Sequence, residues 1–87
     1  MYRLVYADSV VKDDIPSLPK TVREMVRRAV HERLCVDPIA FGKPLQYSFK
    51  GHRRLRVGDY RVIYRCDTAA RVIYVVAIRH RKEVYED

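Results

Sequence analysis

The stretch from His52 to Arg65, HRRLRVGDYRVIYR, constrains the fold more than any other part of the sequence, because it is typical of a β-hairpin. Its two halves are joined by Gly58-Asp59. A two-residue loop with glycine first fits a type II′ turn, which requires positive φ at that position. This turn fixes the register and places Val57 opposite Tyr60. Directly opposed residues then lie on the same face, and successive residues alternate between faces.

Two faces of different chemistry follow from this register. One face is apolar and carries Leu55, Val57, Tyr60, Val62 and Tyr64. The other is basic and carries His52, Arg54, Arg56, Arg61, Ile63 and Arg65. The apolar face requires a core behind it. Guanidinium groups held side by side repel one another, so the basic face favours a polyanion in front of it; the alternative is a solvated face without a ligand.

The net charge of +7 is concentrated in the half of the chain that contains the hairpin. Residues 50–87 hold ten Lys and Arg against five Asp and Glu, whereas residues 1–49 hold eight against six. A basic balance of this kind favours nucleic acid, an anionic membrane or an acidic protein as partner. The 87 residues are enough for one small domain, 1–87, with a modest core.

The apolar pattern predicts neither a membrane span nor a secreted protein. No apolar run approaches the roughly 18 residues of a spanning helix, and the N-terminus lacks the apolar stretch of a signal peptide. Cys35 and Cys66 have neither metal-ligand nor redox spacing. We therefore expect a cytoplasmic protein with two reduced, buried thiols.

Before the hairpin, the pattern predicts one strand and a short helix. Tyr2 to Tyr6 alternates as a first strand. Asp8 or Ser9 can cap a helix, which we expect to end before Pro16 because a residue preceding proline is disfavoured in the helical region.

A second, amphipathic helix is predicted from Thr21 to near Val36. Its apolar stripe has helical spacing and consists of Val22, Met25, Val26, Ala29, Val30 and Leu34. Thr21 and Glu24 have the spacing of a capping box at its start. Glu24 can also pair with Arg28 one turn later.

The remaining segments complete the predicted fold. Residues 38–51 contain two prolines and two glycines and are interpreted as a loop whose apolar residues, Ile39, Phe41, Leu45 and Phe49, fold back onto the core. Val72–Ile78 is apolar at both parities, which predicts a central strand covered on both faces. The order favours an α+β fold, in which the N-terminal strand and two helices pack on one face of a small, mainly antiparallel sheet.

A cluster of arginines from separate segments is the candidate functional site. Arg79 follows the central strand and is expected close to Arg61 if the last two strands are antiparallel neighbours. With Arg54 from the hairpin, three segments then bring cations to one place. Arginine suits phosphate recognition because its planar fork binds two oxygens at once.

His80 and Tyr85 follow Arg79 in the sequence and could complete a phosphodiester site that needs no metal. Histidine can take and give a proton near neutral pH, and a phenol can stack on a base or donate a proton. In RNA, the 2′-OH can attack the adjacent phosphorus while a base removes its proton. Arginines then stabilise the phosphorane, and an acid protonates the leaving 5′-oxygen. Taken alone, either residue is typical of surface or packing positions.

Metal and cofactor motifs are absent from the sequence. His31, His52 and His80 have no paired carboxylates at metal-ligand spacing, and no P-loop, glycine-rich phosphate cradle or Cys/His nucleophile pair is present. We therefore expect no metal and no cofactor.

In its motifs the chain resembles the RelE/ParE superfamily of bacterial and archaeal toxins, and within it the RelE branch. The resemblance is carried by LPK…VRE, DP…GKPL, RRLRVGDYRVIY and the final RHRKEVY. It implies a RelE-like fold and the toxin of a type II toxin–antitoxin pair, held in a hetero-oligomeric complex by a co-encoded antitoxin protein. It also implies cleavage of mRNA in the ribosomal A site, which inhibits translation.

The resemblance implies roles for individual residues. Arg61 matches the family arginine after the turn, and Arg79 matches the one at the end of the last strand. Tyr85 matches a tyrosine implicated in stacking on the substrate and orienting it. The expected catalytic residues are Arg54, Arg61, Arg79, His80 and Tyr85; the expected RNA-binding residues are His52, Arg53, Arg56, Arg65, Arg81 and Lys82.

Two positions depart from the family pattern. Arg54 and His52 stand where well-studied members have lysines, one of them proposed as a base. Because arginine stays charged and is a poor proton acceptor, His80 or His52 would have to accept the proton here. Two other functions stay open: a ParE-like inhibitor that binds DNA gyrase without catalysis, and a degenerate toxin that only binds antitoxin.

Overall fold

The computed structural model describes residues 1–83, the side chain of Ser48 aside, and its centre is a five-stranded sheet. In chain order the strands are β1 (Arg3–Tyr6), β2 (Lys43–Pro44), β3 (Arg53–Val57), β4 (Tyr60–Asp67) and β5 (Val72–His80). They lie in the order β1-β5-β4-β3-β2. β1 runs parallel to β5, and the other neighbouring pairs are antiparallel. The predicted α+β class and mainly antiparallel sheet are confirmed.

The hairpin of β3 and β4 has the predicted register. Val57 pairs with Tyr60, and Arg56 pairs with Arg61. Gly58 has a φ of 59°, and Asp59 does not share its positive sign. A positive φ at the first loop residue alone is the requirement of a type II′ turn, so glycine at position 58 sets the strand pairing.

The first helical segment is longer than predicted. A π-helical turn, Val10–Asp14, leads directly into α1 (Ile15–Ser17), so the expectation that the helix ends before Pro16 was wrong. Pro16 occupies the first turn of α1. Proline is tolerated in the first turn of a helix.

The second helical segment consists of α2 (Lys20–Ala29) and a π-helical turn, Val30–Leu34. The predicted capping box is wrong, because the helix begins before Thr21, with Pro19 as N-cap and no side-chain cap. Glu24 instead accepts a 3.1 Å hydrogen bond from Nε of Arg27, three residues on, rather than pairing with Arg28. This bond and the charge of Arg27 lower the pKa of Glu24.

Residues 38–51 are more ordered than a plain loop, which corrects the interpretation from the sequence. They contain α3 (Pro38–Phe41), strand β2 and a 3₁₀ turn, Tyr47–Phe49. Asp37 caps α3 by accepting a 3.0 Å hydrogen bond from the amide of Ala40. A capping residue followed by proline at the first helical position is a recognised helix start, and the sequence carries that signal.

Two apolar clusters form on opposite faces of the sheet. The main core lies between the helices and the sheet and contains Val10, Leu18, Val26, Ala29, Val30, Leu34, Leu55, Val57, Val62, Tyr64, Ile73, Val75 and Ile78. On the other face Leu45 and Ile63 pack with Phe49, Val76 and Ala77. Leu45 and Phe49 thus fold back as predicted, whereas Ile39 and Phe41 stay about half exposed. Within the described residues, no helix is long and apolar enough to cross a membrane.

Stability is expected to fall at alkaline pH, because burial raises the pKa of four groups. These are the phenols of Tyr6 and Tyr64 and the thiols of Cys35 and Cys66. When folding raises the pKa of a group, the resulting stability is fully present at pH values below the pKa of the unfolded state. It is lost as the pH rises from there through the pKa of the folded state. Unfolded thiols titrate near pH 8.5 and unfolded phenols near pH 10. We therefore expect the free energy of unfolding to stay constant up to about pH 8 and to decline above about pH 9.

Urea unfolding at pH 7, 8, 9, 10 and 10.5 measures this decline. The variant Tyr6→Phe/Cys35→Ala removes two of the four groups and should show a shallower loss. An unfolding free energy of the natural sequence that stays constant to pH 10.5 would contradict the assignment.

Candidate functional site

Three arginines lie side by side across the sheet and form what we call the arginine row. Arg56 on β3 pairs with Arg61 on β4, and Arg61 pairs with Arg79 on β5. Because neighbouring strands are about 4.8 Å apart, the row spans about 10 Å. Arg56 is exposed, Arg61 is only 8% exposed, and the Arg79 side chain is 39% exposed. The structure therefore brings together the two arginines that the sequence placed at the centre of the site.

A β-bulge in β5 is the reason that Arg79 lies on this face. Tyr64 pairs with Val75 and Ile63 pairs with Ala77, so Val76 is an extra residue without a partner in β4. Strict alternation from Val75, which is in the main core, would place Arg79 on the helical side. The extra residue shifts the alternation by one, which is how bulges redirect side chains.

Other candidate basic residues extend the same face. Arg54 pairs with Lys43 on β2, and Arg65 pairs with Tyr74 on β5. The guanidinium carbon of Arg65 lies 4.8 Å from the centre of the Tyr74 ring, a cation–π contact. His52, next to the start of β3, is partly buried, and its ring makes an edge-on contact with Phe49.

Arg53 lies on the opposite face of the sheet from Arg54 and does not extend the row. Its Nη2 donates to the carbonyls of Ile39 and Gly42, at 2.9 and 2.8 Å. These bonds tie α3 to the start of β3. The structure thus gives Arg53 a structural contact, although the sequence placed it among the RNA-binding candidates.

His80 lies on the helical side of the sheet, opposite Tyr60, and so on the other face from the arginine row. Its ring makes an edge-on contact with Tyr60, with centroids 5.2 Å apart. Nδ1 accepts a 3.2 Å hydrogen bond from the amide of Lys82. In the neutral ring the other nitrogen, Nε2, then carries the proton.

A cleft at the end of β5 is where His80 and Arg79 meet. Its volume is about 520 Å³, and both residues line it together with Tyr60, Asp14 and Glu83. Arg81 and Lys82 follow in a 3₁₀ turn, Arg81–Glu83, and both are exposed. Nε of Arg81 lies 3.7 Å from a carboxylate oxygen of Asp59. Tyr85 lies outside the described residues.

Asp14 is part of the site and was missed in the sequence. Its Oδ2 lies 2.6 Å from Nη1 of Arg79 and accepts a 2.9 Å hydrogen bond from the amide of Ile78. Asp14 is 8% exposed. The sequence did contain a sign of this role. Asp14 lies four residues after Val10 and four before Leu18, so its carboxylate interrupts an apolar stripe with helical spacing.

Comparison with known proteins finds that the chain is similar in sequence to toxins. A family model described as the ParE toxin of type II toxin–antitoxin system, parDE, matches residues 4–85. Toxin RelG of Mycobacterium tuberculosis is 27% identical over 77 residues, which cover 88% of each chain. Toxin RelE of the same organism is 31% identical over 72 residues, which cover 83% of this chain and 74% of the relative.

A solved structure has a similar fold. A chain in the crystal structure of the RelBE2 toxin–antitoxin complex from Mycobacterium tuberculosis superposes with a TM-score of 0.83 at 26% identity. The match covers 92% of this chain and 98% of that one.

Proposed function

Because the chain belongs to the RelE/ParE superfamily, as a RelE-like toxin of a type II toxin–antitoxin system, we propose that it is a ribosome-dependent endoribonuclease. In this proposal the toxin cleaves mRNA in the ribosomal A site and so stops translation. The observation that supports it best is the arginine row, in which three neighbouring strands each contribute one arginine at paired positions.

The row suits an RNA phosphate in both charge and shape. Each guanidinium can bind two phosphate oxygens, so neighbouring arginines can hold one phosphate between them. Arg61 is at the centre and is almost fully buried. A preorganised charge in such a water-poor site stabilises developing negative charge more than an exposed one does.

The proposed reaction uses the RNA itself as nucleophile. The 2′-oxygen forms a bond to the adjacent phosphorus, the bond from phosphorus to the 5′-oxygen breaks, and the 2′-proton is passed on while the 5′-oxygen gains one. Arg61 and Arg79 stabilise the phosphorane, and Arg54 adds positive charge rather than accepting a proton. No metal is required, because the arginines supply the positive charge.

The proton-transfer roles fall to residues around the row. Because Nδ1 of His80 accepts the Lys82 amide, Nε2 of the neutral ring carries a hydrogen and would donate a hydrogen bond to the leaving 5′-oxygen. His52 is then the candidate base. In this proposal Tyr85 stacks on the substrate and orients it. The remaining basic residues, Arg56, Arg65, Arg81 and Lys82, would contact RNA.

A cognate antitoxin is the proposed protein partner. The similar chain of known structure comes from a toxin–antitoxin complex. The basic balance of this chain favours an acidic amphipathic segment that covers the arginine row or holds the helices. Co-purification of the toxin with the product of a neighbouring gene tests this partner.

An inhibitor of DNA gyrase is the second candidate function. It is favoured by the matching family model, which describes the ParE toxin of parDE. Such an inhibitor needs no catalytic residues, so substitutions in the arginine row would affect it only through binding.

Primer extension on ribosome-bound mRNA separates the two functions. Brief expression of the toxin should produce cuts within A-site codons, and purified toxin should cut mRNA only when ribosomes are present. Coexpression of the antitoxin is the control and should abolish the cuts. DNA damage without A-site cuts would instead support the gyrase inhibitor and overturn the ribonuclease proposal.

A further inference from the structure

Asp14 lies at the point where β5 loses its outer neighbour. β1 pairs with β5 from Arg3 opposite Val72 to Tyr6 opposite Val75, and the amide of Ala7 still donates to the Val75 carbonyl at 2.9 Å. The chain then turns into the first helical segment. Asp14 reaches back from that segment and accepts the amide hydrogen of Ile78, so a side chain takes the place of the missing strand.

The same carboxylate oxygen also holds Arg79. Oδ2 of Asp14 lies 2.6 Å from Nη1 of Arg79. Because this carboxylate is buried and bonded to the sheet backbone, it is a fixed anchor rather than a mobile surface charge. A long side chain that is anchored in this way loses less rotamer freedom when it later binds a ligand.

The contact leaves one edge of the guanidinium for a substrate. Within the described residues, both contacts of this group use Nη1: the ion pair with Asp14 and a 3.2 Å bond to the Ile78 carbonyl. Nε and Nη2 form the other edge, and an arginine fork binds two phosphate oxygens through two parallel N–H groups.

We infer that Asp14 is a positioning residue that holds the guanidinium of Arg79 where it can bind the RNA phosphate attacked by the 2′-oxygen, an inference that rests on the proposed ribonuclease function. Asp14 acts through Arg79 and does not itself touch RNA. Its negative charge weakens the attraction of the site for RNA, whereas its hold on Arg79 favours the reaction. The two effects have opposite signs, so binding and cleavage can be separated by experiment.

The first experiment compares Asp14→Asn with Asp8→Asn, which removes the same charge from an exposed carboxylate six residues earlier in the chain. Asparagine keeps the shape and can still accept the Ile78 amide. We expect Asp14→Asn to lower the single-turnover rate of cleavage on mRNA-programmed ribosomes by about 10-fold or more, as small misplacements of catalytic groups do. Affinity for the programmed ribosome should stay unchanged or rise, and Asp8→Asn should cleave at the natural rate.

A double-mutant cycle with Arg79→Ala tests whether Asp14 acts through Arg79. In the Arg79→Ala background, Asp14→Asn should cause no further loss of cleavage, although it should still lower stability in urea. An equal loss of rate in both backgrounds would show a purely structural role and overturn the inference. An unchanged or increased rate for Asp14→Asn alone would overturn it as well.

Failure of the proposed function is recognised separately. If the natural protein cuts no mRNA on ribosomes, the ribonuclease proposal fails before any variant is compared. The anchoring is then measured by NMR on the isolated toxin. The guanidinium signals of Arg79 should report restricted side-chain motion in the natural sequence and in Asp8→Asn, and freer motion in Asp14→Asn. Equal motion in all three proteins would overturn the anchoring itself.

Discussion

Replacement of Arg61 by alanine is expected to lower the rate of mRNA cleavage on ribosomes by about 10²–10³-fold, the usual effect of removing one preorganised group that stabilises a charged transition state. Arg61 is the central member of the arginine row and its most buried one. Its charge is therefore less screened by water than that of Arg56. Single-turnover cleavage with saturating programmed ribosomes is the measurement.

Arg71→Ala is the matched control, because it removes the same charge from the turn at the far end of β5. Arg71 lies eight residues before Arg79, which is about 26 Å along a strand. Arg61→Lys is a second variant, which keeps the charge but loses the planar fork, and it should retain more activity than alanine. Urea unfolding checks that each variant is folded. A stable Arg61→Ala variant that cleaves at the natural rate would refute the role of the row.

The hairpin and its basic face were predictable because their signals are local. Gly58 sets the turn, the turn sets the register, and alternation then assigns every side chain to a face. The arginines of β3 and β4 follow from these steps without knowledge of the rest of the chain. The amphipathic stripe of the second helical segment was predictable for the same reason, except that Met25, which the pattern placed on the apolar side, is 51% exposed.

The position of Arg79 depends on a feature that the sequence does not reveal. VIYVVAI is apolar at both parities, so no polar residue marks the place where alternation changes. At the bulge, Val76 and Ala77 both pack with the cluster on the other face, whereas Val75 and Ile78 belong to the main core. Arg61 and Arg79 lie on paired positions as expected, but they share a face only because of this bulge. The periodicity of the sequence does not reveal the bulge.

The placement of His80 was not foreseen, because the sequence predicted a strand that ends at Ile78, whereas β5 continues to His80. Adjacent residues on a strand point to opposite faces, so His80 cannot share a face with Arg79. The two meet only at the end of the sheet, where the cleft opens to both. The contact of Asp14 with Ile78 joins residues 64 positions apart, and no local pattern encodes such a pairing.

Replacement of Gly42 by alanine is expected to lower the free energy of unfolding by about 3 kcal/mol, at the upper end of the usual cost of adding a methyl group to a packed interior. A Cβ at Gly42 would lie 1.6 Å from the hydroxyl oxygen of Tyr64 and 2.7 Å from the ring carbon that carries it. Tyr64 is fully buried and donates a 2.5 Å hydrogen bond to the Pro38 carbonyl, so it has little room to move. Urea unfolding at neutral pH is the measurement.

Gly51→Ala is the control, because it separates backbone strain from collision. Gly51 has a φ of 92°, and none of the atoms that the structure describes lies within 4 Å of an added Cβ, so only the left-handed backbone is penalised, by about 1 kcal/mol. Tyr64→Phe removes the hydroxyl group that collides and should partly rescue Gly42→Ala, so the double variant should lose less than the sum of the two single losses. A Gly42→Ala variant as stable as the natural protein would contradict this close packing. The Gly42 carbonyl accepts a bond from Arg53, which lies on the opposite face of the sheet from the arginine row. Loss of cleavage by Gly42→Ala should therefore follow its loss of stability and disappear under conditions in which the variant remains folded.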